Sequence, residues 1–142
     1  MRSSKPTRMR TIRVLLSDDG QRARAGLRAL LDTYPEVDIV GEAREGGQAM
    51  ALVDRLHPDV VLMDIRMPGI DGLAATRRIK SRWPYVGVVL ITVRSDLEQA
   101  ATACGADGFL VKGCSPDALL ESIRQAVQSA YRPWERATGG AS

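Results

Sequence analysis

Along the chain, short runs of apolar and β-branched residues alternate with longer stretches whose apolar positions recur every three or four residues. The runs are "IRVLL" (12–16), "VDIVGEA" (37–43), "DVVLMD" (59–64), "VGVVLIT" (86–92) and "GFLVK" (108–112). They have the length and composition of strands. Between them, Leu27, Leu30, Leu31 and Tyr34 share one face of a first helix. Ala49, Met50, Val53 and Leu56 do the same for a second helix over 47–56, and Leu73, Thr76, Ile79 and Trp83 for a third over 73–83. Near-continuous apolar strands alternating with helices predict an α/β domain: a parallel sheet covered by helices on both faces.

The last two helices carry start and stop signals. "SDLE" offers Ser95 and Glu98 as a capping box, and Gly105 closes the helix that follows. "SPD" places a Ser115 cap before Pro116 at the first helical position of a fifth helix, which continues through Leu119, Leu120, Ile123 and Val127. Internal repeats and low-complexity runs are absent, and "RATGGAS" at the end reads as a loose tail or the start of a linker.

Ligands of such a sheet bind outside the carboxyl ends of the strands. There the chain places Asp18 and Asp19 after the first strand, Asp64 at the end of the third, Thr92 at the end of the fourth and Lys112 at the end of the fifth. The second strand ends in Glu42 and Ala43, which suggest no chemistry. Three converging carboxylates repel one another unless a cation sits among them, and oxygen donors with room for water suit Mg²⁺. A lysine and a threonine hydroxyl add partners for phosphoryl oxygens, and a carboxylate can itself accept a phosphoryl group. Taken singly, each residue has a plainer reading. Asp18 or Asp19 would cap the helix starting near Gln21, Lys112 would be a surface charge, and Thr92 a β-former. Asp71 before Gly72 reads as turn chemistry, and His57 before Pro58 as a solvated helix-end residue. The constellation carries the signal.

Charge refines this only at one end. Of 20 Lys and Arg, five fall within residues 1–13, where there is no acid, so the rest of the chain holds 15 basic against 17 acidic residues. The tail over 1–10 is read as a solvated basic arm, and direct nucleic-acid binding by this chain is not expected. No apolar run approaches the ~20 residues of a membrane span, and the N-terminus lacks the apolar core of a secretory signal. Cys104 and Cys114 show no metal-ligand spacing and fit a reducing cytoplasm as small hydrophobic thiols.

"LLSDDG", "DVVLMDIRMPGIDGL", "VVLIT" and "GADGFLVK", in that order, resemble the receiver domain of bacterial two-component response regulators, whose fold is shared with the chemotaxis protein CheY. The likeness covers residues 11–131. "RAGLRALL" and "DIVGEA" are similar to the branch whose members carry a LuxR-type helix-turn-helix after the receiver. The resemblance implies a five-stranded sheet of order 2-1-3-4-5 with five helices, and Asp64 as phosphoacceptor. It also implies Mg²⁺ held by Asp19, Asp64 and the backbone carbonyl of Arg66, with Asp18 acting through water. Thr92 and Lys112 would bind the phosphoryl oxygens, and Phe109 would be the aromatic whose rotamer follows phosphorylation. The implied donor is a sensor histidine kinase or a phosphotransfer protein. The chain would catalyse only its own phosphoryl transfer and dephosphorylation.

Some positions depart from that pattern. Thr92 and Lys112 are 20 positions apart, about two fewer than usual, which predicts a shortened fourth helix or leading loop. Gly113 stands where many receivers have proline, and Val93 where smaller residues are common. Arg66 and Arg94 are expected to border the mouth of the site. Nothing resembling an output domain follows Tyr131, and residues 132–142 read as tail or linker. Two other readings stand beside the phosphorylatable receiver. One is the receiver part of a DNA-binding regulator whose helix-turn-helix is missing from this chain. The other is a phosphorylation-independent interaction module on the same fold. A homodimer stays open.

Overall fold

The computed structural model describes residues 11–130, so the basic N-terminal arm, Tyr131 and the C-terminal stretch 132–142 lie outside the described residues. Five strands and five helices alternate: β1 (Ile12–Ser17), α1 (Gln21–Leu31), β2 (Val37–Ala43), α2 (Gly46–Leu56), β3 (Val60–Asp64), α3 (Gly72–Arg82), β4 (Gly87–Thr92), α4 (Glu98–Ala103), β5 (Gly108–Val111) and α5 (Pro116–Ser129). All strand pairings are parallel, in the order β2-β1-β3-β4-β5. The expected α/β architecture and strand order are both present.

Side chains alternate across the strands, so the sheet divides the core in two. Leu15, Val61, Met63, Val88 and Leu90 face Ala49, Val53, Ala75 and Ile79 of α2 and α3. Val14, Leu16, Leu62, Val89 and Ile91 face Leu31 of α1 and Leu119, Leu120 and Ile123 of α5. Every residue of β3 and β4 is buried, which explains their unbroken apolar spelling.

Several local expectations need correction. The Ser95–Glu98 capping box does not form. Ser95–Leu97 closes as a 3-10 turn, α4 begins only at Glu98, and neither turn has a side-chain cap. The six-residue α4 agrees with the shortened spacing between Thr92 and Lys112. Neither Asp18 nor Asp19 caps α1, because Gly20 holds the N-cap position without a side-chain bond. Asp71 does more than turn the chain: it is the N-cap of α3, its Oδ1 accepting the Ala74 N–H at 2.8 Å. Ser115 caps α5 as expected, accepting from Ala118 N at 3.1 Å.

Candidate functional site

Register explains why the residues at the strand ends come together. β1 and β3 run level, with Ser17 opposite Met63, so the next residue on each, Asp18 and Asp64, emerges beside the other. Asp64 pairs with Ile91, which puts Thr92 one step further out. Thr92 pairs with Val111, and β5 ends there, so Lys112 is the first residue beyond the sheet. Its amide still donates to the Thr92 carbonyl at 2.7 Å. Gly113 follows with φ +96°, a left-handed conformation that glycine adopts without strain. On the other side, α3 starts hard against the end of β3. A Cβ on Gly72 would run into the Asp64 carbonyl, so glycine is what permits that approach.

Asp18 and Asp64 are buried, while Asp19 is exposed. One carboxylate oxygen from each of the three lies within 4.8 Å of the others. Lys112 Nζ bridges two of them, donating at 2.9 Å to Asp18 Oδ2 and at 2.9 Å to Asp64 Oδ2. Backbone amides hold the remaining oxygens: Gly20 N–H donates to Asp18 Oδ1 at 2.8 Å, and Arg66 N–H to Asp64 Oδ1 at 3.1 Å. Burial works against the charge on Lys112, but hydrogen bonds and charge from Asp64 and Asp18 outweigh it, so its pKa stands above the ordinary lysine value.

Three carboxylates against one ammonium leave the cluster anionic. An open cleft of about 410 Å³, lined by Asp19, Ile65, Arg66, Met67, Pro68 and Asp71, adjoins it. Hard oxygen donors, excess negative charge and access to solvent fit a divalent cation of the Mg²⁺ type.

The other expected residues are distributed around this cluster. Thr92 is fully buried, and its hydroxyl accepts from Arg94 N at 3.4 Å. Phe109 is half-buried on β5, opposite Leu90, and packs against the core on the α4 side rather than touching the carboxylates. Arg66 is exposed at the cleft, as expected for a residue at the mouth. Arg94 is paired with Asp96, Nε and Nη2 donating to its carboxylate at 3.1 and 2.6 Å. Val93 is 64% exposed, an unusual state for a large apolar side chain. His57 does end α2, but its Nδ1 lies 3.2 Å from the Tyr85 hydroxyl, so it has a partner.

Sequence reasoning passed over Arg24 and Glu42. Arg24 is buried in α1 and donates from Nη1 to the main-chain carbonyl of Asp18 at 2.6 Å and from Nε to Glu42 at 3.1 Å. The available signal was an arginine three residues before Leu27 on the inward stripe.

Comparison with known proteins agrees with the geometry. The model of the response regulator receiver domain matches residues 14–124. The chain is 40% identical over 123 residues to the response regulator UvrY of Escherichia coli, covering 85% of this chain and 56% of that protein. It is 35% identical over 119 residues to the transcriptional regulatory protein DegU of Brevibacillus brevis, covering 82% and 50%. The chain thus spans about half the length of the curated relatives it matches. Among solved structures, the receiver domain of the response regulator NarL from Mycobacterium tuberculosis superposes with a TM-score of 0.80 at 30% identity, covering 85% of this chain and 99% of that one. The receiver of Thermotoga maritima CheB gives a TM-score of 0.77 at 32% identity, covering 84% and 98%. With the sheet order, the register of its strand ends and these matches in agreement, the chain belongs to the response regulator receiver domain family.

Proposed function

We propose that residues 11–131 form a phosphorylatable receiver that takes a phosphoryl group onto Asp64 from the phosphohistidine of a sensor kinase or phosphotransfer protein. The observation that carries this is the Lys112 ammonium spanning Asp18 and Asp64 inside a three-carboxylate cluster at the strand ends. Mg²⁺ would be held by Asp19, Asp64 and the Arg66 carbonyl, with Asp18 acting through water. When bound, it would offset the negative charge of the carboxylates and of the incoming phosphoryl oxygens.

The chain's own groups do the remaining work. An Asp64 oxygen attacks phosphorus, a P–O bond forms, the P–N bond breaks and the imidazole leaves with the electron pair. Lys112 can then exchange its bond to Asp64 Oδ2 for a phosphoryl oxygen, and the Thr92 hydroxyl can turn to donate to another. Phe109, half-buried on the edge strand β5, would then change rotamer to follow Thr92. The chain acts as a signalling module and catalyses only the formation and loss of its own acyl phosphate. We assign it to the cytoplasm, where such donors are found. Among the described residues, no helix is long and apolar enough to cross a membrane.

A second reading concerns output. The relatives include proteins named as transcriptional regulatory proteins. This favours a receiver whose output is the control of transcription.

Asp64→Asn tests the first reading. The variant should keep the fold, read by circular dichroism, and lose hydroxylamine-labile labelling by acetyl phosphate. A labelled, folded variant would move the acceptor to another carboxylate.

A further inference from the structure

β2, which pairs with the strand that leads into Asp18, contains an irregularity. Its register against β1 slips between Val14, opposite Ile39, and Leu15, opposite Gly41, leaving Val40 as the extra residue. Before the slip, Ile39 packs on the α1 and α5 side of the sheet. After it, a Cβ on Gly41 would meet Leu52 and Leu56 of α2 on the opposite side. Alternation has shifted by one, so Glu42 is aimed at α1 rather than α2. There its Oε1 receives Arg24 Nε at 3.1 Å, and its Oε2 receives Arg28 Nη1 at 2.7 Å.

Arg24 spends its other end on the site. Nη1 donates at 2.6 Å to the Asp18 carbonyl, while the Asp18 amide donates to Ala43 O at 3.0 Å, next to Glu42. The main chain of Asp18 is therefore gripped on both sides by β2 and the residue β2 orients. Asp19, which follows directly, has an exposed carboxylate with no hydrogen-bond or ion-pair partner among the described residues. Its place in the cluster depends on where the Asp18 backbone is held.

We propose that Arg24 is a positioning residue which, clamped by Glu42, fixes the β1–α1 turn so that the carboxylates of Asp18, Asp19 and Asp64 converge on one cation. This rests on reading the cluster as a Mg²⁺ site. The sign of the effect separates it from simpler roles. If Arg24 acted only through its charge, deleting a cation beside an anionic cluster would tighten Mg²⁺ binding. If it only packed α1, stability would fall and affinity would not change. Positioning requires weaker binding, even in Arg24→Lys, where the charge stays but a single ammonium cannot span both the carbonyl and Glu42.

The test is calorimetric titration of the purified chain with MgCl2, beside melting curves in metal-free buffer. Residues that orient ligands typically cost ~10–100-fold when lost, so the dissociation constant should rise about tenfold in Arg24→Met and less in Arg24→Lys. Arg124→Ala, which removes an exposed arginine paired to Glu36, should bind as the parent does. Should Arg24→Met not fold, Arg24→Lys carries the measurement. Unchanged or tighter binding in a folded Arg24 variant overturns the proposal. If the parent itself binds no Mg²⁺, the cation-site reading falls along with it. If the parent binds, Asp19→Ala does not, and the Arg24 variants match the parent, only the role of Arg24 is refuted.

Discussion

Two lysine–aspartate pairs sit at opposite edges of the sheet, and their differences separate architecture from chemistry. At the amino edge, Lys80 Nζ donates to Asp107 Oδ2 at 2.8 Å, Val86 O at 2.8 Å and Pro84 O at 3.3 Å. Asp107 also accepts from Val88 N and from the Ser129 hydroxyl. The Lys80 protons are all used, and one positive charge meets one negative. At the carboxyl edge, Lys112 meets two carboxylates directly and a third nearby, with an open cleft alongside. A balanced, saturated pair ties α3, β4, β5 and α5 together. An unbalanced one leaves room for a cation and an incoming anion.

The sharpest way to break this contrast is to remove each lysine. Lys80→Met should cost about 2–4 kcal/mol, because it strands a nearly buried Asp107 carboxylate, with some discount for residual exposure. Millimolar Mg²⁺ should not recover that loss. Lys112→Met should also destabilise in metal-free buffer, but Mg²⁺ should restore most of it by replacing the missing charge. Denaturant melts of both variants with and without Mg²⁺ decide the matter. Rescue of Lys80→Met would dissolve the distinction.

Next in size is the response of the parent to Mg²⁺ itself. A ligand present at ten to one hundred times its dissociation constant stabilises by about 1–3 kcal/mol. Asp19→Ala should abolish most of that melting shift while leaving metal-free stability near the parent's, since its carboxylate is exposed. A full shift in that variant would place the cation away from this edge.

A smaller effect is expected on the lifetime of the phosphorylated state. Arg66 borders the cleft, whereas Arg94 is held by Asp96, so the two arginines should differ. Arg66→Ala should hydrolyse faster, by about 3–30-fold if its contact stabilises the acyl phosphate by about 0.7–2 kcal/mol. Arg94→Ala should change less unless Asp96 is also replaced. Loss of label from pre-phosphorylated protein in Mg²⁺ buffer measures both rates, and equal decay in all variants would remove the arginines from the account.

The smallest effect lies at alkaline pH. The Lys112 pKa is raised in the folded state by Asp64 and Asp18 against the cost of burial. Its contribution is therefore complete below the ordinary lysine range and is lost as pH climbs through the raised folded value. Metal-free parent protein should lose stability in that window more steeply than Lys112→Met. Parallel curves would mean the bridge adds no pH-dependent stability.

Most of the candidate site was legible before any coordinates. Asp18, Asp19, Asp64, Thr92 and Lys112 were found by asking what ends each strand, because in a parallel sheet all carboxyl ends share an edge. Local reasoning failed in the short segment after β4, where several local contacts compete for the same residues. "SDLE" has the letters of a capping box, yet the chain between Thr92 and Lys112 is short, and Ser95 is absorbed into a 3-10 turn. Arg94 follows Thr92 as expected, its amide donating to the Thr92 hydroxyl, but its guanidinium is paired with Asp96, which the sequence did not signal.

The amino-acid sequence alone determined the element order, the two-faced core and the identity of the groups on the carboxyl edge of the sheet. These follow from periodicities that act along the chain and from the shared edge on which a parallel sheet places all its strand ends. The tertiary structure decided what depends on pairing between distant segments. The slip opposite Leu15 turns Glu42 toward α1, the buried Arg24 links that glutamate to the Asp18 carbonyl, and Lys80 finds Asp107 rather than solvent. A bulge changes which way every later side chain faces, and no pattern within a single strand reports it.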